Sequence, residues 1–200
     1  MDAIMFNNYY DPARLRDDLE SAAAEAAWIV KPERGKYKDW SALPLHALRG
    51  ETTPAAVDRH VVPTPGECSL TPIGRACPYV REILDGLPAE KLRVRFMRLA
   101  PGGRIGRHRD RHYGWTLPIL RLHVPVLTGP AVEFLLADRR ITMQPGELWY
   151  LDFTRDHEVY NGGTTDRVHL VIDMINSDEL RAALGPSSWA RSYPAGDCSH

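Results

Sequence analysis

The sequence has little cysteine and no long apolar run. Its 200 residues include three cysteines, none in Cys-x-x-Cys spacing, so we expect free thiols rather than a disulfide framework or a cysteine zinc site. No stretch approaches the roughly 18 apolar residues of a membrane-spanning helix. The amino-terminal residues lack the basic region and the apolar core of a signal peptide, which predicts a cytoplasmic location.

Net charge is also nearly absent. Lys and Arg number 25 against 26 for Asp and Glu, which leaves a formal charge of −1. Such a balance gives no general attraction to nucleic acids or anionic membranes, so neither is expected as a partner. The content of 44% hydrophobic and 26% charged residues is ordinary for a globular protein, and the length predicts a single domain over 1–200.

The first 90 residues are predicted to be a helical and loop elaboration. Asp11 as N-cap and Pro12 at the first helical position mark a helix. The apolar side chains that follow at helical spacing are Leu15, Leu19, Ala22, Ala26 and Ile29. Residues 31–72 contain scattered prolines without periodicity, which predicts a long loop over the core or a site. A second short helix is expected at 78–84.

From residue 91 the pattern changes to short strands, and a jelly-roll core is predicted over 91–176. About seven apolar runs are separated by Gly- and Pro-rich turns, the first of these turns at 101–103, which favours a β-sandwich or barrel of jelly-roll type. The runs are 92–96, 119–127, 132–136, 141–143, 148–151, 159–160 and 168–175. A short helix capped by Asn176 or Ser177 and a loosely held tail are expected at 177–200.

The densest cluster of ionisable residues contains a candidate metal-binding pair. His108 and Asp110 are two positions apart, so on an extended segment both side chains project to one face. A third ligand is sought among His112, His123, His157 and His169. His157 is favoured because a jelly roll folds it back beside the strand that ends near His108. Two histidines and one carboxylate form the facial ligand set of non-haem Fe(II) oxygenases; a solvated loop or a phosphate-binding patch is the alternative.

Arg167 lies at the start of an apolar strand, ten positions after His157. A buried arginine needs an anionic partner. A dicarboxylate co-substrate would supply one in the bidentate geometry that a guanidinium matches. A salt bridge within the chain is the alternative, with the candidate partners Asp166, Glu158 and Asp173.

Several segments in this order resemble the aspartyl/asparaginyl β-hydroxylase family of Fe(II)- and 2-oxoglutarate-dependent dioxygenases, which includes bacterial proline cis-4-hydroxylases. The resemblance implies a double-stranded β-helix, the cupin-like form of the jelly roll. It also implies that His108, Asp110 and His157 bind the iron. The matching segments are Arg98–Gly103, His108–Asp110, Leu120–Val124, Glu147–Asp152, Asp156–Asn161 and Arg167–Asp173.

The resemblance further implies the co-substrate residues and the reaction. Arg167 would bind the distal carboxylate of 2-oxoglutarate, and Arg121 and His123 would bind the remaining carboxylates of co-substrate and substrate. The expected activity uses O2 to hydroxylate an unactivated C–H of an amino acid, with release of succinate and CO2. The amino acid would be free, within a peptide or tethered to a carrier protein. The alternatives are a cupin-like metal enzyme without 2-oxoglutarate and a non-catalytic 2-oxoglutarate sensor.

Other side chains are candidates for shaping the substrate pocket. Trp40 and Trp115 could form its wall, although packing in the core or at the rim is the simpler interpretation for both. Four arginines are available for a substrate carboxylate, with ordinary solvated charge as the alternative for each. They are Arg93, Arg95, Arg107 and Arg109.

Overall fold

A computed structural model describes residues 1–30, 37–57 and 65–193, so part of the expected loop, Cys198 and the last residues of the tail lie outside the described residues. Within these ranges no helix is long and apolar enough to cross a membrane. Cys68 and Cys77 are free thiols, as predicted. The helices are α1 (Pro12–Glu25), α2 (Pro54–Val57), α3 (Pro72–Arg75), α4 (Pro78–Asp85) and α5 (Asp178–Ala183), with a 3-10 turn at Pro186–Ser188.

Strands dominate the structure and join one curled sheet. All the pairings between them are antiparallel, in the order β12-β1-β9-β6-β11-β5-β10-β7-β8, and β3 adds to β5 with β2 and β4 beside it. This is the predicted mainly β fold. The strands are β1 (Ala3–Tyr9), β2 (Ile29–Val30), β3 (Tyr37–Leu48), β4 (Cys68–Leu70), β5 (Lys91–His108), β6 (Ile119–Leu127), β7 (Val132–Leu136), β8 (Arg139–Arg140), β9 (Glu147–Leu151), β10 (His157–Asn161), β11 (Arg167–Ile175) and β12 (Trp189–Tyr193).

The long strand β5 connects the two halves of the sheet. Its first part pairs with β11, and its last part pairs with β10, where His157 lies opposite His108. The turn expected at 101–103 is wrong, because the strand continues through these residues. Gly102 adopts a positive φ of 74° there, a conformation that glycine tolerates without a steric penalty. The glycines therefore bend one strand rather than ending it.

The two faces of the central strands have different chemistry. On β6 and β11 the residues of one face pack in an apolar core beneath the helices, for example Leu122 and Leu170. The alternate residues point to the other face, because successive side chains of a strand project to opposite sides. That second face forms the interior of the curled sheet and includes Arg121, His123 and Arg167, all buried.

The amino-terminal half differs most from expectation. Residues 37–48 are not part of a loop but form β3, which pairs along β5. The segment 1–90 therefore contributes strands as well as helices, and β1 pairs with both β9 and β12. The expectation of a loosely held tail is also wrong for 189–193, which form β12. These pairings join segments far apart in sequence, so no local pattern marks them.

Several predicted elements are confirmed. Helix α1 has Asp11 as N-cap, accepting hydrogen bonds from two backbone N–H groups, although it ends at Glu25 and Ile29 belongs to β2. Helix α4 covers the predicted 78–84, and Ser177 caps α5. Strands β6 and β7 have the predicted bounds. The strand predicted at 141–143 is wrong, since the strand that pairs with β7 there is β8, which ends at Arg140.

Close packing of α3 on β3 gives a test of the new strand. A Cβ added at Gly74 would lie 1.9 Å from the carbonyl oxygen of Leu45, whereas one added at Gly129 would meet nothing within 4 Å. We expect Gly74→Ala to lower the free energy of unfolding by about 2–3 kcal/mol, because backbone must move. Gly129→Ala should change it by less than about 0.5 kcal/mol. Urea denaturation measures both, and equal stabilities would contradict this packing.

Candidate active site

His108, Asp110 and His157 form the one group of potential metal ligands found among the described residues. One ligand atom from each lies within 4.8 Å of the other two, and the two imidazole centroids are 4.1 Å apart. His108 ends β5 and His157 begins β10, so the pairing of these strands brings the rings together. Asp110 lies just beyond β5, where its backbone N–H bonds to the carbonyl of Phe153.

Backbone carbonyls fix the orientation of both imidazoles. Nδ1 of His108 lies 2.8 Å from the carbonyl oxygen of Gly106, and Nδ1 of His157 lies 3.0 Å from that of Arg155. A carbonyl only accepts, so each Nδ1 carries the proton and each Nε2 has its lone pair for a metal. Burial, with His108 nearby, lowers the pKa of His157 to about 4, which keeps this imidazole neutral near pH 7.

Asp110 is held by an arginine that serves two carboxylates. Nη1 of Arg121 donates to Asp110 at 3.1 Å, while its Nε and Nη2 donate to the two oxygens of Asp173 at 2.6 and 2.9 Å. The guanidinium also lies 3.6 Å over the ring centre of Tyr113. Arg121 is thus tied to Asp110 in this structure, and its expected contact with a carboxylate of co-substrate or substrate stays a prediction.

Asp173 is surrounded by arginines from neighbouring strands. Besides Arg121, its carboxylate accepts a hydrogen bond from Arg95 at 3.1 Å and lies 3.8 Å from Nε of Arg93. All four side chains are buried. Although burial raises the pKa of Asp173, the arginines outweigh it and hold the pKa well below its usual range. Arg93 and Arg95 are therefore buried beside a carboxylate, and the alternative interpretation of them as solvated charges is wrong for both.

Arg167 has no carboxylate partner among the described residues. It is 3% exposed, its Nε has no hydrogen-bond partner, and its Nη2 lies 3.0 Å from Nδ1 of His169. Burial lowers its pKa to about 9. The alternative of an internal salt bridge is wrong within this part of the chain: Asp173 pairs with other arginines, Asp166 with Arg98, and no ion pair joins Arg167 to Glu158.

His123 lies between these groups. Its Nδ1 is 3.4 Å from Nδ1 of His169, and its ring packs 5.0 Å from that of Phe153. Its Nε2 is buried without a partner in the described residues. Burial, together with Arg167 and Arg121, lowers its pKa well below the usual range, so the imidazole is neutral. A molecule in the adjoining pocket could bond to this nitrogen.

A pocket of about 630 Å³, including its mouth, joins the triad to Arg167 and His123. The triad lines it together with aromatic and apolar side chains and three arginines: Tyr37, Trp40, Val57, Met97, Ile105, Phe134, Phe153, Val159, Arg95, Arg121 and Arg167, with His123. Trp40 is thus in the pocket wall, as one of the two interpretations proposed. A second cavity approaches Arg167 and His169 from the loop between β6 and β7.

The remaining candidates lie elsewhere. His112 is exposed and outside the metal-ligand group, and Trp115 packs against Tyr150 and Trp189. Arg107 pairs with Asp138, and Arg109 pairs with Asp156 through two hydrogen bonds. Both ion pairs lie at or near the surface, with Arg107, Arg109 and Asp138 exposed and Asp156 half-buried.

Comparison with known proteins identifies the family. The profile of the family Aspartyl/Asparaginyl beta-hydroxylase matches residues 11–177, most of the chain. The chain belongs to this family. A curated relative, L-proline cis-4-hydroxylase of Rhizobium meliloti (strain 1021), is 26% identical over 190 residues, which is 92% of this chain and 62% of that protein. The chain thus spans less than two thirds of this relative's length.

Solved structures share the fold of this family member. An oxidoreductase of the 2OG-Fe(II) oxygenase family from Burkholderia pseudomallei superposes with a TM-score of 0.55 at 16% identity, over 88% of this chain and 85% of that one. A prolyl-4-hydroxylase from Pseudomonas putida gives a TM-score of 0.51 at 16% identity, over 88% and 92%. At these identities the likeness concerns the fold.

Sequence reasoning missed the role of Asp173, which it considered only as a partner for Arg167. The signal was available in the strand itself. Along β11, Arg167, His169 and Asp173 all occupy alternate positions of one face, while Val168, Leu170 and Ile172 pack in the apolar core on the other. In a β-hydroxylase family member, polar residues at period two within an apolar strand mark the interior of the curled sheet.

Asp173 gives a test of the charge cluster. Asp173→Asn leaves three buried arginines with one anion fewer, so we expect a loss of about 3–5 kcal/mol in the free energy of unfolding near pH 7. Because the folded pKa of Asp173 lies below the unfolded value of about 3.9, its stabilisation is complete above about pH 5 and is lost as the pH falls.

The pH dependence distinguishes this effect from a simple packing defect. Denaturant unfolding of the wild type should lose stability steeply between about pH 5 and 3, and Asp173→Asn should flatten that slope. Asp17→Asn, at an exposed position of α1, serves as the control and should retain the wild-type slope. A variant at position 173 with an unchanged slope would contradict the role of this carboxylate.

Proposed function

We propose that this protein is an Fe(II)- and 2-oxoglutarate-dependent dioxygenase that hydroxylates an unactivated C–H of an amino acid. One observation carries the proposal: Arg167, a buried arginine that has no carboxylate partner among the residues the structure describes, lines the same pocket as the triad His108, Asp110 and His157. Two histidines and a carboxylate leave coordination positions open for a co-substrate. The arginine supplies the cation that a distal carboxylate would need.

The residues present fit the metal and the co-substrate. The proton on each Nδ1 leaves Nε2 of both histidines to the metal, and Arg121 orients Asp110. Arg167 would bind the distal carboxylate of 2-oxoglutarate, and the unpartnered Nε2 of His123 is available for a further contact. Iron and 2-oxoglutarate, when bound, supply the activation of O2 that yields succinate, CO2 and the hydroxylated product.

The walls of the pocket would exclude water and orient the substrate. Trp40, Phe134 and Phe153 line the pocket with apolar surface, which excludes water and gives the substrate a defined orientation. Arg121 holds the carboxylate of Asp110 from behind the triad. The protein thus contributes orientation and a dry environment, which direct the reaction to one C–H.

The comparisons support an amino acid as the substrate. The Rhizobium relative is an L-proline cis-4-hydroxylase, and this chain matches it along 92% of its own length. We propose a small amino acid or an amino acid within a peptide or carrier-bound intermediate as the substrate, Fe(II) as the cofactor, and the cytoplasm as the location.

Anaerobic titration of the apoprotein with Fe(II) and 2-oxoglutarate tests the proposal. We expect the visible charge-transfer band of the chelate in the wild type and its loss in His108→Ala. Arg167→Leu should weaken 2-oxoglutarate binding by about 30-fold or more, since it removes one partner of a buried charge pair. Release of succinate in air, over a panel of amino acids, then tests turnover.

The outcomes separate the alternative functions. Iron binding without the band would favour a cupin-like metal enzyme that does not use 2-oxoglutarate. A band without succinate under any substrate would favour a 2-oxoglutarate sensor. Arg140→Leu removes an exposed arginine and should leave the band as in the wild type.

The unpaired charge of Arg167 predicts a trade-off between stability and binding. Arg167→Leu should unfold at the same or a higher temperature than the wild type without ligand, because a buried charge without a counter-ion destabilises the folded state. Addition of metal and saturating 2-oxoglutarate should raise the melting temperature of the wild type by several degrees more than that of the variant. Thermal denaturation measures both. A variant stabilised as strongly as the wild type would contradict the assignment of Arg167.

A further inference from the structure

Arg95 is a second buried cation in the pocket whose hydrogen-bonding capacity is largely unused. It is 3% exposed and lines the pocket with the triad. Its Nη2 donates to Asp173 at 3.1 Å, but Nε and Nη1 have no partner within the described part of the chain. A buried N–H group without a partner is costly, so such an arrangement indicates a ligand that completes it.

Charge points to the same conclusion. Four buried arginines face two buried aspartates in this cluster, Asp110 and Asp173. Asp173 is already engaged by both nitrogens of one arginine, Arg121, in a bidentate pair, so it compensates Arg95 only in part. Burial lowers the pKa of Arg95, with Arg121 and Arg93 adding repulsion. With Arg167 assigned to 2-oxoglutarate in the proposed function, the incompletely paired Arg95 is left for a carboxylate of the substrate.

We propose that Arg95 binds a free carboxylate of the substrate. This inference rests on the proposed function and narrows it, because it selects among the substrates left open there. A residue inside a peptide has its α-carboxyl in an amide, and a carrier-tethered amino acid has it in a thioester. Neither carries the charge that this arginine requires, unless a side chain supplies it. The favoured substrate is a free amino acid bound through its α-carboxylate.

The two arginines hold different places along the interior of the sheet. Arg167 lies at the start of β11, whereas Arg95 lies opposite Val171 on that strand, four residues further on. In the proposed function Arg167 binds the distal carboxylate of 2-oxoglutarate and the metal binds its other end. Arg95 is then available to another anion.

Paired substrates and three variants test this inference. The panel contains the free amino acids and their α-amides, including aspartate and glutamate, whose side-chain carboxylates survive amidation. Stimulated succinate release is measured with the iron-loaded wild type, Arg95→Met, Arg95→Lys and the control Arg98→Met. Arg98 lies on the same strand but contacts Ser41, Trp28 and Asp166 outside the pocket. The anaerobic chelate band is recorded for each variant as a readout independent of turnover.

The expected pattern is specific to a substrate-binding arginine. At least one free acid stimulates succinate release and its amide does not. Arg95→Met keeps the chelate band but raises the KM for that acid about 30-fold or more, Arg95→Lys restores part of the loss, and Arg98→Met behaves as the wild type. Stimulation by the amides of aspartate or glutamate alone would assign Arg95 to a side-chain carboxylate and overturn the α-carboxylate.

Other outcomes would overturn the inference, and one would instead contradict the proposed function. Equal stimulation by an ordinary acid and its amide, or no stimulation by any free acid, would overturn it. Loss of the chelate band in Arg95→Met and Arg95→Lys, with the band intact in Arg98→Met, would assign Arg95 to the co-substrate and overturn it as well. Absence of the band in the wild type would instead be a failure of the proposed function.

Discussion

The ion-pair network that joins Asp173 to Arg93, Arg95 and Arg121 is the interaction on which the site depends. One buried carboxylate on β11 contacts arginines from β5 and β6, so it fixes three long side chains across neighbouring strands. Arg121 then extends this network to Asp110. The position of Asp110, the carboxylate of the candidate metal triad, therefore follows from the charge cluster behind it. Such outer partners tune ligand orientation in metal sites generally.

The cluster exists because the central strands are buried on both faces. One face of β6 and β11 packs in the apolar core, and the other lines the curled interior, where it presents arginines, histidines and an aspartate. Burying so many ionisable groups is costly unless they compensate one another. Most of them do, and within the described residues the atoms left without a partner include Nε of Arg167, Nε2 of His123 and two nitrogens of Arg95. The incomplete pairing lies at the ligand pocket, where an unfavourable feature of the unliganded fold can serve binding.

The sequence was sufficient for the strands that carry continuous apolar runs between turn residues. Strands β6 and β7 have the expected bounds, and the convergence of His108 and His157 follows from the expected return of the chain. Strand β3 escaped prediction because it contains Pro44 and a residue of positive φ, Asp39, and because its partner β5 is remote in sequence.

The bend in β5 was misread for a related reason, since a Pro-Gly-Gly run marks a turn locally but here redirects one strand from β11 to β10. Arg95 was one of four candidates for a substrate carboxylate and Asp173 one of three candidate partners of Arg167, and the sequence did not pair the two with each other. Their pairing depends on register, which local periodicity does not specify.

The arrangement of cations explains why this register matters for function. Arg167 and Arg95 lie at separate positions along the interior face, with the triad in the same pocket. A dianion bridging the metal and Arg167 would leave Arg95 with only the shared carboxylate of Asp173, so a second carboxylate in the pocket would complete its hydrogen bonds. A slip of one residue along β5 would turn Arg95 to the apolar core and remove this binding position.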